Sequence, residues 1–90
     1  MYIVRLSSDA QSDLIRLRRY APQAFKKAER LLEELEQHPR TGTGQVEQLK
    51  YFKNETWSRR ITREHRLVYE IHDKEILVLV ISAYGHYEDK

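Results

Sequence analysis

Apolar residues recur first at helical and then at strand spacing along this chain. Residues 2–6 predict a short first strand. Ser8-Asp9-Ala10-Gln11 then offers a serine N-cap with glutamine three residues on, the arrangement of a capping box, and predicts a helix start. Ala10, Leu14 and Leu17 repeat at helical spacing to about residue 19, where Tyr20-Ala21-Pro22 interrupts the pattern. Proline is tolerated in the first turn of a helix, so a second helix is expected from near Pro22. Its apolar stripe is Phe25, Ala28, Leu32 and Leu35 with Leu31 alongside, and Lys26, Lys27, Arg30, Glu33, Glu34 and Glu36 fall largely on the other faces.

His38-Pro39 ends that helix, and Thr41-Gly42-Thr43-Gly44 reads as a loop. The segment Gln45 to Lys50 is a loop or a short strand. Three strand-like runs follow, at 56–62, 66–72 and 75–84, with connections at Arg63-Glu64-His65 and Asp73-Lys74 short enough for hairpins. The last run, Ile76 to Ile81, is apolar throughout and is expected to be central and covered on both faces, or at least along its middle. Strand alternation places Leu67, Tyr69 and Ile71 on one face and Arg66, Val68, Glu70 and His72 on the other. In the preceding strand Trp57, Arg59 and Ile61 oppose Ser58, Arg60 and Thr62, so Arg60 is the better candidate to join Arg66 away from the helices. The expected fold class is α+β, two N-terminal helices packed on a mostly antiparallel twisted sheet.

Ninety residues suffice for a single domain, 1–90, with one modest core. A third of the residues are charged but the net charge is only +2, so attraction to nucleic acid has to come from local clustering. Such a cluster exists: Trp57 to Arg66 holds four arginines and a histidine, a set suited to phosphate. With no cysteine there is neither a thiolate nucleophile nor a cysteine zinc site, and a reducing cytoplasm is the expected compartment. The N-terminus is too short and too soon interrupted for a signal peptide, and no apolar run reaches membrane-spanning length. Four histidines without HExxH-like spacing argue against a metal site, and no cofactor is expected.

The motifs Gly42-x-Gly44, Glu47-x-Leu49-Lys50, Trp57-Ser58-Arg59-Arg60-Ile61, His65-Arg66-Leu67-Val68-Tyr69 and His86-Tyr87, in that order, resemble the Txe/YoeB family of bacterial toxins within the RelE superfamily. The resemblance spans essentially the whole chain. It implies a RelE-like microbial ribonuclease fold, cleavage of mRNA in the ribosomal A site, and neutralisation by a cognate YefM-like antitoxin. It also implies roles: Glu47 as general base, Arg66 as transition-state stabiliser and His86 as general acid, with Lys50, Arg60 and Tyr87 in or beside the site. Arg59, Arg63 and His65 complete the expected RNA-contacting set, His65 with a competing structural role in fixing the hairpin. An acidic antitoxin segment is expected over Arg59, Arg60, Arg63 or Arg66, and homodimerisation is a further expectation from the resemblance. The chain departs from the family in lacking prolines around Glu47, in carrying Tyr84 where an arginine is common nearby, and in its Glu88-Asp89-Lys90 end.

The residue types meet the chemistry independently of the family. Metal-independent RNA cleavage needs a base for the 2′-OH, a cation for the phosphoryl oxygens and an acid for the leaving 5′-oxygen. Glu47, Arg66 and His86 supply one of each, although nearby arginines oppose the desolvation that would strengthen Glu47 as a base. A solvated hairpin edge would account for one or two of the arginines but less readily for four. Two other function classes compete: a ParE-like toxin that binds gyrase without cutting RNA, and an RNA-binding module without catalysis. The first does not require this acid, base and cation together, and the second lacks any RRM-like or KH-like motif.

Overall fold

The computed structural model describes residues 1–85 and contains strand β1 (Ile3–Leu6), helices α1 (Ser8–Tyr20) and α2 (Pro22–Leu35), and strands β2 (Glu47–Leu49), β3 (Thr56–Arg60), β4 (Arg66–His72) and β5 (Leu77–Ser82). The strands form one sheet in the order β1-β5-β4-β3-β2. Three pairings are antiparallel; β1 runs parallel to β5, and the helices carry the chain from β1 at one edge of the sheet to β2 at the other. The α+β architecture is the one the sequence predicts.

Both helices lie on one face. From α1 come Ala10, Leu14 and Leu17, as expected; the buried line of α2 is Ala24, Ala28, Leu31 and Leu35, with Phe25 and Leu32 at its margin. The stripe is thus rotated slightly from the predicted one, toward Ala24. Leu67, Tyr69 and Ile71 of β4 and Val78 and Val80 of β5 meet these residues from the sheet. The cap of α1 is Ser7, whose Oγ accepts the Ala10 N–H at 3.0 Å, while the Gln11 amide donates to the Leu6 carbonyl. With two adjacent serines able to cap, the one already fixed by donating to Ile81 O of β5 takes the position.

Strand ends differ from expectation for local reasons. Ile61 and Thr62 leave β3 because their N–H groups donate to the His65 carbonyl in the hairpin turn. Asp73–Glu75 forms one turn of 3₁₀ helix and Ile76 is left-handed with φ 52°, which delays β5 to Leu77. Cover on both faces of β5 is not found among the described residues. Val78 and Val80 are buried under the helices, but Leu77 and Leu79 are half-buried on the open face, beside exposed Ile3 and Arg5 of β1. No helix among the described residues is long and apolar enough to cross a membrane.

Arg40 fastens the far side of the sheet, donating to both oxygens of Glu55 at 2.8 and 3.0 Å and to Asp73 at 2.8 Å. The Arg40 and Trp57 bonds hold the Glu55 carboxyl below its ordinary range, and those of Tyr2 and Arg40 do the same for Asp73. For Glu34 burial pushes upward, but hydrogen bonds from Thr43 and Arg59 outweigh it and the carboxyl is again held low. Depressed native values mean that this stabilisation is complete above the unfolded-chain values of 4.5, 4.5 and 3.8 and is lost as pH falls through the lower native ones. Tm should therefore hold nearly level from neutrality to about pH 5 and decline below it. Thermal melts across that range, with Glu55→Gln reducing the slope of the acid limb, check this.

Candidate active site on the open face of the sheet

The site begins with strand parity. Glu47 pairs with Ser58 and Arg60 with Arg66, so these four side chains share the face opposite the helices. The Arg66 guanidinium turns back along β3: Nε and Nη2 donate to Ser58 Oγ at 3.2 and 2.9 Å, and Nη2 also donates to the Gln45 carbonyl at 3.3 Å. Its Nη2 stands 3.8 Å from Glu47 Oε1, with the arginine side chain 17% and the glutamate 67% exposed. Arg60 Nη1 reaches the Gln45 amide oxygen at 3.5 Å. The Arg66 Nη1 hydrogens have no hydrogen-bond partner among the described residues, leaving donors for an anion above the sheet.

The loop before β2 is built to deliver Glu47. Gly44 has φ 98°, and its carbonyl accepts the Arg60 N–H; a Cβ there would lie 2.9 Å from the Arg60 carbonyl oxygen. Beneath the loop lies Arg59, wholly buried. It donates to Glu34, to the carbonyls of His38, Thr41 (2.7 Å) and Thr43 (3.4 Å), and to the Tyr69 hydroxyl (3.0 Å). Tyr69 in turn donates to Pro39 O at 2.7 Å, and burial pushes its phenol upward while Arg59 opposes the shift.

Expected site residues therefore separate into groups. Glu47, Arg60 and Arg66 come together. Arg59 is corrected: with its guanidinium enclosed and fully engaged it cannot reach RNA or an antitoxin, and it serves as the anchor of the 38–44 loop. Lys50, just after β2, and Arg63, at the hairpin turn, are exposed with no ion pair among the described residues. The His65 ring faces the end of the chain, accepting the Gly85 N–H at 2.9 Å. His86 and Tyr87 lie outside the described residues.

Ser58 and Gln45, which hold Arg66 and Arg60, are the participants that motif reasoning missed. Parity alone puts Ser58 beside Arg60, but nothing in the sequence says that its hydroxyl faces a guanidinium. Ser58→Ala should slow turnover at this site about tenfold, the worth of a hydrogen bond to a charged group, while leaving the melting temperature within a few degrees. Parallel rate and melting measurements check this.

Two helices on one face of a five-stranded mixed sheet are the architecture of the RelE superfamily of small toxins. The profile of the YoeB-like toxins of bacterial type II toxin-antitoxin systems matches residues 6–87, and the chain belongs to this family. It is 43% identical to the toxin YoeB of Escherichia coli K12 over 53 residues, 59% of this chain and 63% of that protein, so the match spans just under two thirds of that relative's length. A YoeB/ParE toxin from Agrobacterium tumefaciens superimposes with a TM-score of 0.85 at 30% identity, covering 97% of this chain and 100% of that one. The toxin in a heterotetrameric YoeB-YefM toxin-antitoxin complex from Staphylococcus aureus gives 0.79 at 30% identity, covering 97% and 99%.

Proposed function

We propose that this toxin is a ribosome-dependent endoribonuclease that cuts mRNA in the A site and so stops translation. The observation that carries this reading is the Arg66 guanidinium, held from behind by Ser58 and Gln45 at 3.8 Å from Glu47 and beside Arg60. In this reaction Glu47 takes the proton of the 2′-OH, whose oxygen attacks the adjacent phosphorus. Arg66, with Arg60, balances the charge growing on the non-bridging oxygens. His86 protonates the departing 5′-oxygen, leaving a 2′,3′-cyclic phosphate and a free 5′-OH. No metal is required for any of these steps.

Ribosome dependence has a physical counterpart in the site. Glu47 is two-thirds exposed, and acid-base and electrostatic catalysis are strongest where water is excluded. The A site would supply that exclusion and fix the mRNA in line. For a partner, we expect a YefM-like antitoxin whose acidic segment covers Arg60, Arg63 and Arg66, by analogy with the complex known for the staphylococcal relative. The place of action would be the bacterial cytoplasm, where translating ribosomes are found.

The test is a comparison of one mRNA with and without translating ribosomes, using antitoxin-free protein. Cleavage only on the ribosome is expected. Intact mRNA in both reactions would refute the reading.

A further inference from the structure

His65 uses its backbone and its ring for different purposes. Its carbonyl accepts the N–H groups of Ile61 and Thr62 and closes the β3–β4 hairpin. Its ring leaves the hairpin: Nδ1 accepts the Gly85 N–H at 2.9 Å, while the N–H of Arg66, the next residue, donates to the Gly85 carbonyl at 2.9 Å. Both backbone polar groups of Gly85 are thereby held by two consecutive residues, 65 and 66. The preceding side chain is held as well. The Tyr84 ring lies 4.5 Å from that of His65 between centroids, tilted by 49°, and the Arg16 guanidinium of α1 sits 3.8 Å from its centroid.

This clamp joins the two ends of the proposed chemistry. Arg66 holds Gly85 through its backbone while its side chain faces Glu47, and Gly85 is the residue through which the chain enters His86. We propose that His65 is a positioning residue, fixing Tyr84-Gly85 against β4 and so setting the point from which the chain continues into the general acid. The inference rests on the reading of His86 as the acid. It assigns Nδ1 to the chain end and leaves only Nε2 for any contact with RNA. Histidine suits this role, since the bond requires an unprotonated Nδ1, hence a neutral imidazole with its proton on Nε2, and the flat ring supplies the face for Tyr84. Asparagine can place an acceptor where Nδ1 stands; alanine offers neither acceptor nor face.

The experiment combines amide hydrogen exchange with single-turnover cleavage of ribosome-bound mRNA, for wild type, His65→Ala, His65→Asn and His65→Ala in a His86→Gln background. In His65→Ala the Gly85 amide should exchange roughly tenfold faster or more, with the Leu67, Tyr69 and Val78 amides unchanged. The cleavage rate should fall about 10–100-fold, as expected for a misplaced catalytic group. The ribosome concentration for half-maximal rate should move by less than about twofold. His65→Asn should restore most of the Gly85 protection and of the rate. Added to His86→Gln, His65→Ala should cause little further loss, because it acts through the residue already removed.

Unchanged Gly85 exchange in His65→Ala would overturn the clamp. A full further loss in the His86→Gln background, or an unaltered rate despite an unprotected Gly85, would overturn the positioning role. Absence of cleavage by the wild type would instead refute the ribonuclease reading, and the catalytic purpose of the clamp with it, while Gly85 exchange would still report whether His65 holds the segment.

Discussion

Arg66→Ala should slow mRNA cleavage by roughly 10²–10³, the loss that follows removal of one preorganised donor from a site of developing negative charge. The guanidinium is set before substrate arrives: three hydrogen bonds to Ser58 Oγ and Gln45 O orient it from behind, so little reorganisation remains for the transition state. Its pairing with Glu47 contributes little to folding, because at 3.8 Å and with Glu47 mostly in water the attraction is screened. Rate and stability should therefore separate in this variant. Arg66→Lys keeps the charge but not the fork that spans Ser58 and Gln45, and an intermediate rate is expected. Single-turnover assays on programmed ribosomes, with circular dichroism melts of the same preparations, check both statements. A wild-type rate in Arg66→Ala would remove this residue from the mechanism.

Arg59→Ala should be the most damaging single substitution for the fold, at about 3–5 kcal/mol, the usual consequence of deleting one partner of a buried ionic cluster. It would leave the Glu34 carboxylate, the carbonyls of His38, Thr41 and Thr43 and the Tyr69 hydroxyl without their common donor. Set against a typical total of about 5–15 kcal/mol for a small domain, that is a large share. A second effect follows from connectivity. The 38–44 loop leads directly into Gln45 and Glu47, so variants that remain folded should also cleave slowly. Arg59→Lys offers one point charge in place of a planar fork and should rescue only part of the stability. Urea midpoints for the two variants, with activity measured well below each midpoint, test the assignment; a midpoint equal to the wild type's would show that the loop is anchored elsewhere.

The different fates of the two neighbouring arginines show where the sequence is readable and where it is not. Alternation alone separates Arg59 from Arg60 by face, and β4, whose alternation only Val68 interrupts, is legible in full. What alternation lacks is a way to say that an arginine on the core face is enclosed; the acceptors that enclose Arg59 are mostly backbone carbonyls of a loop, and carbonyls have no sequence signature. Strand β2 is open to either reading for a similar reason. It is three residues long, two of them exposed, and it exists because β3 offers a free edge with which to pair. The parallel pairing of β5 with β1 is likewise a long-range choice: the helices carry the chain from β1 to β2 at the opposite edge, and the antiparallel strands bring β5 back beside β1. At the site, motif order supplies Glu47 and Arg66, whereas Ser58 and Gln45 become apparent only through the direction in which the guanidinium points.

Ribosome-bound cleavage is tested most directly by mapping mRNA 5′ ends in a translation reaction containing wild-type protein, with Glu47→Ala/His86→Gln protein as the control. Discrete cuts inside the A-site codon, bearing 5′-hydroxyl ends, are expected with the wild type only. Intact mRNA with a folded, antitoxin-free wild type, or the same cuts with the double variant, would contradict the proposed mechanism.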